Sequence, residues 1–181
     1  MKKRCGTSLA TIFLIIATLS VSCSESELIQ EFAIYLVKSE VPAEIHKDIF
    51  QYIPLESLEL AEKPIFTDKD IVRYIWQSHE IIITEEAAKR IPEPPGVSSG
   101  IHCVVVVNNE RCYLAAFWNV LSSFVPHFPT ICIIPPVDGA GMNNSKNTNV
   151  LRIFRNLHTE EDIRFDPRIR GCLEALGKLE E

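Results

Sequence analysis

The residues with the means to do chemistry are few, and their spacing decides how far they can be taken. Ser122, Ser123, His127 and Asp138 are close enough in sequence to be strung into a nucleophilic triad. A histidine would then take the serine proton and a carboxylate would orient the imidazole. Such a triad also needs a sharp nucleophile elbow and a loop of oxyanion donors, and no GxSxG or comparable loop accompanies these residues. Their expected role is therefore that of loop polar groups. His46, His79, His102, His127 and His158 are scattered, and no HxxxH or HExxH pair exists to grip zinc. Asp138-Gly139-Ala140-Gly141 lacks the ligand spacing of a calcium loop. Gly139, Gly141 and Lys146 do not form the GxxxxGK[ST] that cradles phosphate. The cysteines show no CxxC spacing. No metal, cofactor or catalytic residue is expected.

Aromatic residues carry a different signal. Tyr113, Phe117, Trp118, Phe124 and Phe128 crowd the same region as Ser122, Ser123 and His127. Core packing is the expectation for Tyr113 and Phe117, whereas Trp118, at a strand end beside a polar turn, stands between burial and an interface. Trp and Tyr combine large apolar area with a polar handle and so often anchor contacts. The candidate contact surface is Trp118, Tyr113, Ser122, Ser123, His127 and Phe128.

The N-terminus points to export. Lys2, Lys3 and Arg4 form a basic region, no further charge appears until Glu25, and Leu9 to Val21 is an apolar run of signal-peptide length. Three fates remain open. Ser20-Val21-Ser22 satisfies the small-x-small rule of ordinary cleavage. Leu19-Ser20-Val21-Ser22-Cys23 resembles a bacterial lipobox that would lipidate Cys23, with its aliphatic residue four rather than three positions before the cysteine. An uncleaved anchor is the third, since the uncharged stretch approaches the length that spans ~30 Å of hydrocarbon. The acidic, Ser-rich tether after Cys23 favours lipidation. Removing residues 1–22 of the 181 leaves 159; it also takes away three cations and no acid, moving the formal charge from −6 to −9. That charge argues against nucleic acid and against adsorption to anionic lipid. Attachment through a lipid or signal anchor at the cell envelope is expected, with a soluble secreted or periplasmic form as the alternative.

These residues need a scaffold, and its centre is the stretch from Gly100 to Pro136. Cys103 to Val107 is an apolar run, Asn108-Asn109 is a turn whose residues tolerate positive φ, and the chain returns through Cys112 to Phe117. With Val107 opposite Glu110, Cys112 would sit across from Val105 and Cys103 across from Leu114, a poor geometry for a Cys103–Cys112 bridge. Thr130 to Ile134 is a third strand and Glu31 to Val37 an earlier one. In KPIFTDKDIVRY and HEIIITEEAAKRI an apolar run ends at Thr67 or Thr84, each placed to cap a short helix whose first turn is acidic. Thr67 with Asp70 approximates a capping box, and Glu85–Lys89 and Glu86–Arg90 are spaced for helical ion pairs. Val150 to Phe154 reads as an edge strand. A terminal helix starts at Asp166 with Pro167 first, and Ile169, Cys172, Leu173 and Leu176 share one face. The implied division is signal peptide 1–22, tether 23–31, α+β domain 32–137, polar loop 138–149, and C-terminal strand and helix 150–181.

The order of these signals resembles the extracytoplasmic domain of the protein-export subunit SecD. Thr67, Asp70 and Ile71 match its T-x-x-D-I segment, Thr84 and Ala87 its second T-x-x-(G)A segment, and Asn108-Asn109 its hairpin turn. The chain also resembles a group of bacterial envelope lipoproteins with YLGAFW-like and DPR-like segments. Tyr113 to Trp118, with Ala115 in place of a glycine, and Asp166 to Arg168 are the counterparts. The likeness covers roughly residues 32–135 and implies a small mixed or antiparallel sheet with short Thr-capped helices on one face, plus the C-terminal helix. The transmembrane helices of SecD are absent from this sequence, so translocase function is not implied. The expected function is that of a non-catalytic envelope module that binds another component, an envelope protein among the candidates. The alternative is an exported hydrolase using His127 with a nearby Ser or Asp.

Overall fold

The computed structural model describes residues 30–38, 54–94, 96, 100–119, 121–122, 126–133, 149–157 and 160–181. Cys23, residues 24–29 of the tether and residues 138–148 of the polar loop lie outside them. Among the described residues, nine strands form one curled mixed sheet, in the order β2-β1-β5-β6-β7-β8-β4-β3-β9. They are β1 (Phe32–Leu36), β2 (Phe66–Thr67), β3 (Ile71–Ile75), β4 (Glu80–Ile83), β5 (Ile101–Val107), β6 (Glu110–Phe117), β7 (Thr130–Ile133), β8 (Val150–Phe154) and β9 (Leu179–Glu180). Sheet dominates helix, and among the described residues α2 (Pro167–Ala175) is the one helix longer than a single turn. The architecture is α+β in this broad sense.

The β5–β6 hairpin is the centre, as its composition requires. Asn108 and Asn109 turn at φ 49° and 65°, the left-handed pair that matches strand twist in a two-residue hairpin. Asn108 does more than turn: its Oδ1 accepts from the Glu31 amide at 2.8 Å and its Nδ2 donates to Gln30 at 3.1 Å, fixing the entry to β1. Every residue from Cys103 to Val107 is buried. Cys103, Val105 and Val107 join the main core beneath α2, whereas Val104 and Val106 pack with Leu58 and Leu114 on the second face. Arg111 holds that second cover in place by donating to the carbonyls of Leu55 and Leu58.

Four expectations need correction. The hairpin register holds at Val107–Glu110 and then shifts, because a bulge absorbs Cys112; Tyr113 faces Val105 and Ala115 faces Cys103. The segment after Thr67 is a single 3-10 turn, Asp68–Asp70, followed by strand β3 rather than a helix. β-Branched Ile71, Val72 and Ile75 favour the pleat over the helix. The Thr67 amide and hydroxyl still bond Asp70 Oδ2, at 2.8 and 3.2 Å. Thr84 does cap α1 (Glu85–Ala88) by accepting from the Ala87 amide at 3.2 Å, but this helix lasts one turn. Its expected i,i+4 pairs are therefore replaced: Lys89 takes Glu86 at 2.6 Å and Arg90 pairs with Asp70. Finally, β8 is no edge strand. It lies inside the sheet, antiparallel to β7 and β4, with Arg152 paired to Glu80 of β4.

The C-terminal helix follows its sequence closely. Asp166 caps it by accepting from the Arg168 amide at 2.8 Å, Pro167 opens it, and Ile169, Cys172 and Leu173 are buried. Gly177, at φ 66°, ends it. The Lys178 amide reaches Leu173 O and the Gly177 amide reaches Glu174 O, both at 2.9 Å, the paired bonds of a Schellman cap. The chain then turns into β9, which runs parallel to β3.

Candidate functional site

The aromatic cluster sits where β6 gives way to β7. These two strands are parallel, so the chain must cross between them, and the crossing carries Ser122, His127 and Phe128. The Trp118 amide donates to Ile131 O at 2.9 Å and the Ala116 amide to Pro129 O at 3.1 Å, which pins both ends of the crossing. Asn119 shapes the turn between them: its Oδ1 accepts from the Leu121 amide at 2.9 Å and its carbonyl from the Ser122 amide at 3.0 Å.

Trp118 is buried, only 6% exposed, with Ala116, Phe128 and Cys132 on the second face of the sheet. Its ring crosses that of Phe128 edge-on, with centroids 6.1 Å apart, and Phe128 in turn lies 5.3 Å from His102. The six-membered part of the indole rests against the backbone of Gly100. A Cβ there would fall inside contact distance of Cε3, 2.6 Å from Cζ3 and 2.8 Å from Phe117 O. Glycine at 100 is thus what lets the tryptophan close onto the sheet.

Two hollows share Trp118 as a wall. One, of about 220 Å³, is bounded on its other sides by Ile91, Pro92, Phe117 and Ile133. The second, of about 240 Å³, has a floor of Phe128, Cys132 and Phe154 and a rim of Asn119, Ser122 and Arg155. Leu121 and Leu157 stand near it, 79% and 65% exposed. Apolar concavities with a few convergent polar groups are the usual form of a ligand site.

The candidate residues are only partly brought together. Trp118, Ser122 and Phe128 line the second hollow. His127 is half-buried beside them, its carbonyl accepting from Asn156 Nδ2 at 2.5 Å. Tyr113 is not part of this surface: it is buried on the opposite face, in the main core. Ser123, Asp138 and Cys23 fall outside the described residues. Burial pushes the Cys132 thiol up to about 11, with a Thr130 hydrogen bond opposing, and the Cys172 thiol up to about 11. Burial first, and Asp166 second, raise the Cys112 thiol to about 12. Thiols held protonated at neutral pH are poor nucleophiles and metal ligands.

One cluster was not singled out in the sequence. His79 closes the β3–β4 turn at φ 52° and is 1% exposed. Its Nδ1 lies 2.8 Å from the Tyr74 hydroxyl, and Trp76 and Phe165 complete an aromatic enclosure. A histidine in a tight turn with aromatics five and three positions before it was the available signal. Among the described residues, no group of three or more His, Cys, Asp or Glu side chains converges as metal ligands, and no helix is long and apolar enough to cross a membrane. Comparison with protein-family models, curated proteins and solved structures returned no match.

Proposed function

We propose that this chain is an exported, lipid-anchored envelope protein that acts as a non-catalytic binding or interaction module, and that the hollow beside Trp118 is its contact site. The observation that carries the contact site is the hollow itself, an apolar concavity rimmed by Asn119, Ser122 and Arg155. It lies beside two leucines left in solvent. Export and anchoring rest on the basic start, the apolar run Leu9 to Val21 and Cys23 behind small residues. The relation to the extracytoplasmic domain of SecD is part of the same proposal. Its support is the order of the Thr67–Asp70–Ile71, Thr84–Ala87 and Asn108–Asn109 segments along the chain.

The two halves are tested separately. Metabolic labelling with a fatty-acid analogue should mark the protein, and Cys23→Ser should abolish the label; an unlabelled wild type refutes the lipid anchor. A photo-crosslinking residue at Leu121 or Leu157 should give adducts in cells, whereas the same residue at Val72, exposed on β3, should not. Equal labelling from all three positions would remove the hollow as the contact. Turnover in a hydrolase screen that disappears with His127→Ala would replace the binding reading with the catalytic one.

A further inference from the structure

His79 is enclosed on sides of unequal strength. Tyr74 and Trp76 belong to β3 and its continuation, and the ladder holds both: Tyr74 N donates to Lys178 O and Trp76 N to Glu180 O, each at 2.7 Å. The His79 carbonyl accepts from the Ile153 amide of β8 at 2.9 Å. The remaining wall is the strap of residues 160–166, whose 3-10 turn Ile163–Phe165 sets the Phe165 ring 4.5 Å from the imidazole. This wall is thin. Ile163 and Phe165 are 39% and 44% exposed, and Arg164 ties the strap to β8 through Ile153 O at 2.6 Å. Arg164 is itself clamped by Asp162, Nε to Oδ1 at 2.8 Å and Nη2 to Oδ2 at 2.6 Å.

The imidazole has room for one ring proton and no provision for two. Whichever tautomer is present, the Tyr74 hydroxyl satisfies Nδ1, and Nε2 has no hydrogen-bond partner among the described residues. A second proton would make both nitrogens donors. Nδ1–H would then donate to the Tyr74 oxygen, and Nε2–H would be buried without an acceptor among the described residues. The charged groups facing the ring both come from the strap, Arg164 and Asp162, and Asp162 is already engaged with Arg164. Elsewhere around it, Glu80 of β4 pairs with Arg152 of β8, Arg170 of α2 lies over Trp76, and β3 contributes only the Tyr74 phenol.

We propose that His79 is an acid-sensitive latch: uptake of a second ring proton from solvent releases the strap 160–166 from the core while the sheet stays paired. Burial first, and Arg164 second, hold the imidazole down to about 4, with Asp162 opposing. Once the strap is off, the ring meets water and returns toward its ordinary value near ~6.5. The open form therefore binds more protons than the closed form between those two values, and acid favours opening there. Asp162 titrates below this window because its hydrogen bonds to Arg164 lower it further. Opening would uncover Trp76 together with Phe165.

Hydrogen exchange of the full chain, corrected for the intrinsic pH dependence of amide exchange, tests this between pH 7 and 4.5. Opening of residues 160–166 should increase about tenfold per pH unit below about pH 6, with residues 101–117 unchanged. His79→Asn, which keeps a residue tolerant of positive φ, should make the strap's opening independent of pH. A flat wild-type profile, an unaltered slope in His79→Asn, or simultaneous opening of the hairpin would each overturn the latch. Should that variant not fold, nuclear magnetic resonance of the wild-type imidazoles decides: one ring must stay neutral until about pH 4, and ordinary titration of all of them refutes the proposal.

Discussion

Gly100 and Trp118 should behave as one energetic unit. A Cβ at 100 would lie 2.6 Å from Cζ3 and closer still to Cε3. Carbon atoms sit comfortably ~3.5–4.0 Å apart, so the indole must retreat by about 1 Å. It has little room, since Phe128 and the sheet enclose it and it is 6% exposed. Overpacking of this kind costs ~1–3 kcal/mol, against a gain of ~0.4–1 from stiffening the unfolded chain. Gly100→Ala should therefore lose about 1–2 kcal/mol. Trp118→Leu empties much of the same space and should lose ~2–3, less than the ~3–5 of full truncation. In the double variant the ring is gone and only the 2.8 Å approach to Phe117 O remains. The combined loss should fall short of the sum by at least ~1 kcal/mol, well outside the ~0.3–0.5 within which independent sites add. Urea denaturation of the four proteins gives the number directly. Additive losses would show that Gly100 serves its own backbone and that the tryptophan is not seated by it.

Three further outcomes are expected. Val105→Ala, at a fully buried site between β1 and β6, should cost about 1–3 kcal/mol in chemical denaturation, while a change at exposed Val72 stays near ~0.5. Asn109→Gly should be neutral or mildly stabilising because φ is already 65°, whereas Asn108→Gly should lose ~1 kcal/mol with its side-chain bonds to Glu31 and Gln30; equal effects in thermal melts would refute the distinction. Asp166→Ala should cost ~1 kcal/mol through the lost helix cap. It should also flatten acid unfolding, because the Arg168 hydrogen bond lowers this carboxyl, so its contribution is present above the unfolded value near ~3.8 and disappears as pH falls through the folded one.

What could be read in advance follows from how many independent constraints a segment carries. The hairpin was legible because Asn-Asn at a turn and a fully apolar strand before it specify the same structure. Its register was not. Cys103 to Val107 are buried on both faces, so no alternation marks which residue faces which, and a bulge at Cys112 costs nothing that the pattern displays. The helix at Asp166 was legible through its cap, its proline and its apolar face together. After Thr67 the cap spoke for a helix, but β-branched Ile71, Val72 and Ile75 spoke for a strand, and the strand prevailed. The place of β8 depends on which strands it meets, and Arg152 finds Glu80 from 72 positions away. Nothing within Val150–Phe154 encodes that meeting.

The aromatic surface fails and succeeds for a single geometric reason. Along a regular strand, residues an odd number of positions apart point to opposite faces. Tyr113 and Trp118 are five apart on β6 and its extension, and the bulge at Cys112 lies before both, so parity is undisturbed between them. They could never have shared a surface. Tyr113, Ala115 and Phe117 go into the main core beneath α2, and Ala116 and Trp118 to the second face. Parity also explains why Trp118 is where a site can form. The second face near the hairpin turn is sealed by Leu55, Leu58 and Leu60 over Val104, Val106 and Leu114. Beyond Ala116 the cover passes to Phe128 and Phe154, and there the 240 Å³ hollow opens. The strand that builds the core on one side therefore ends, on the other, in the tryptophan that walls the hollow.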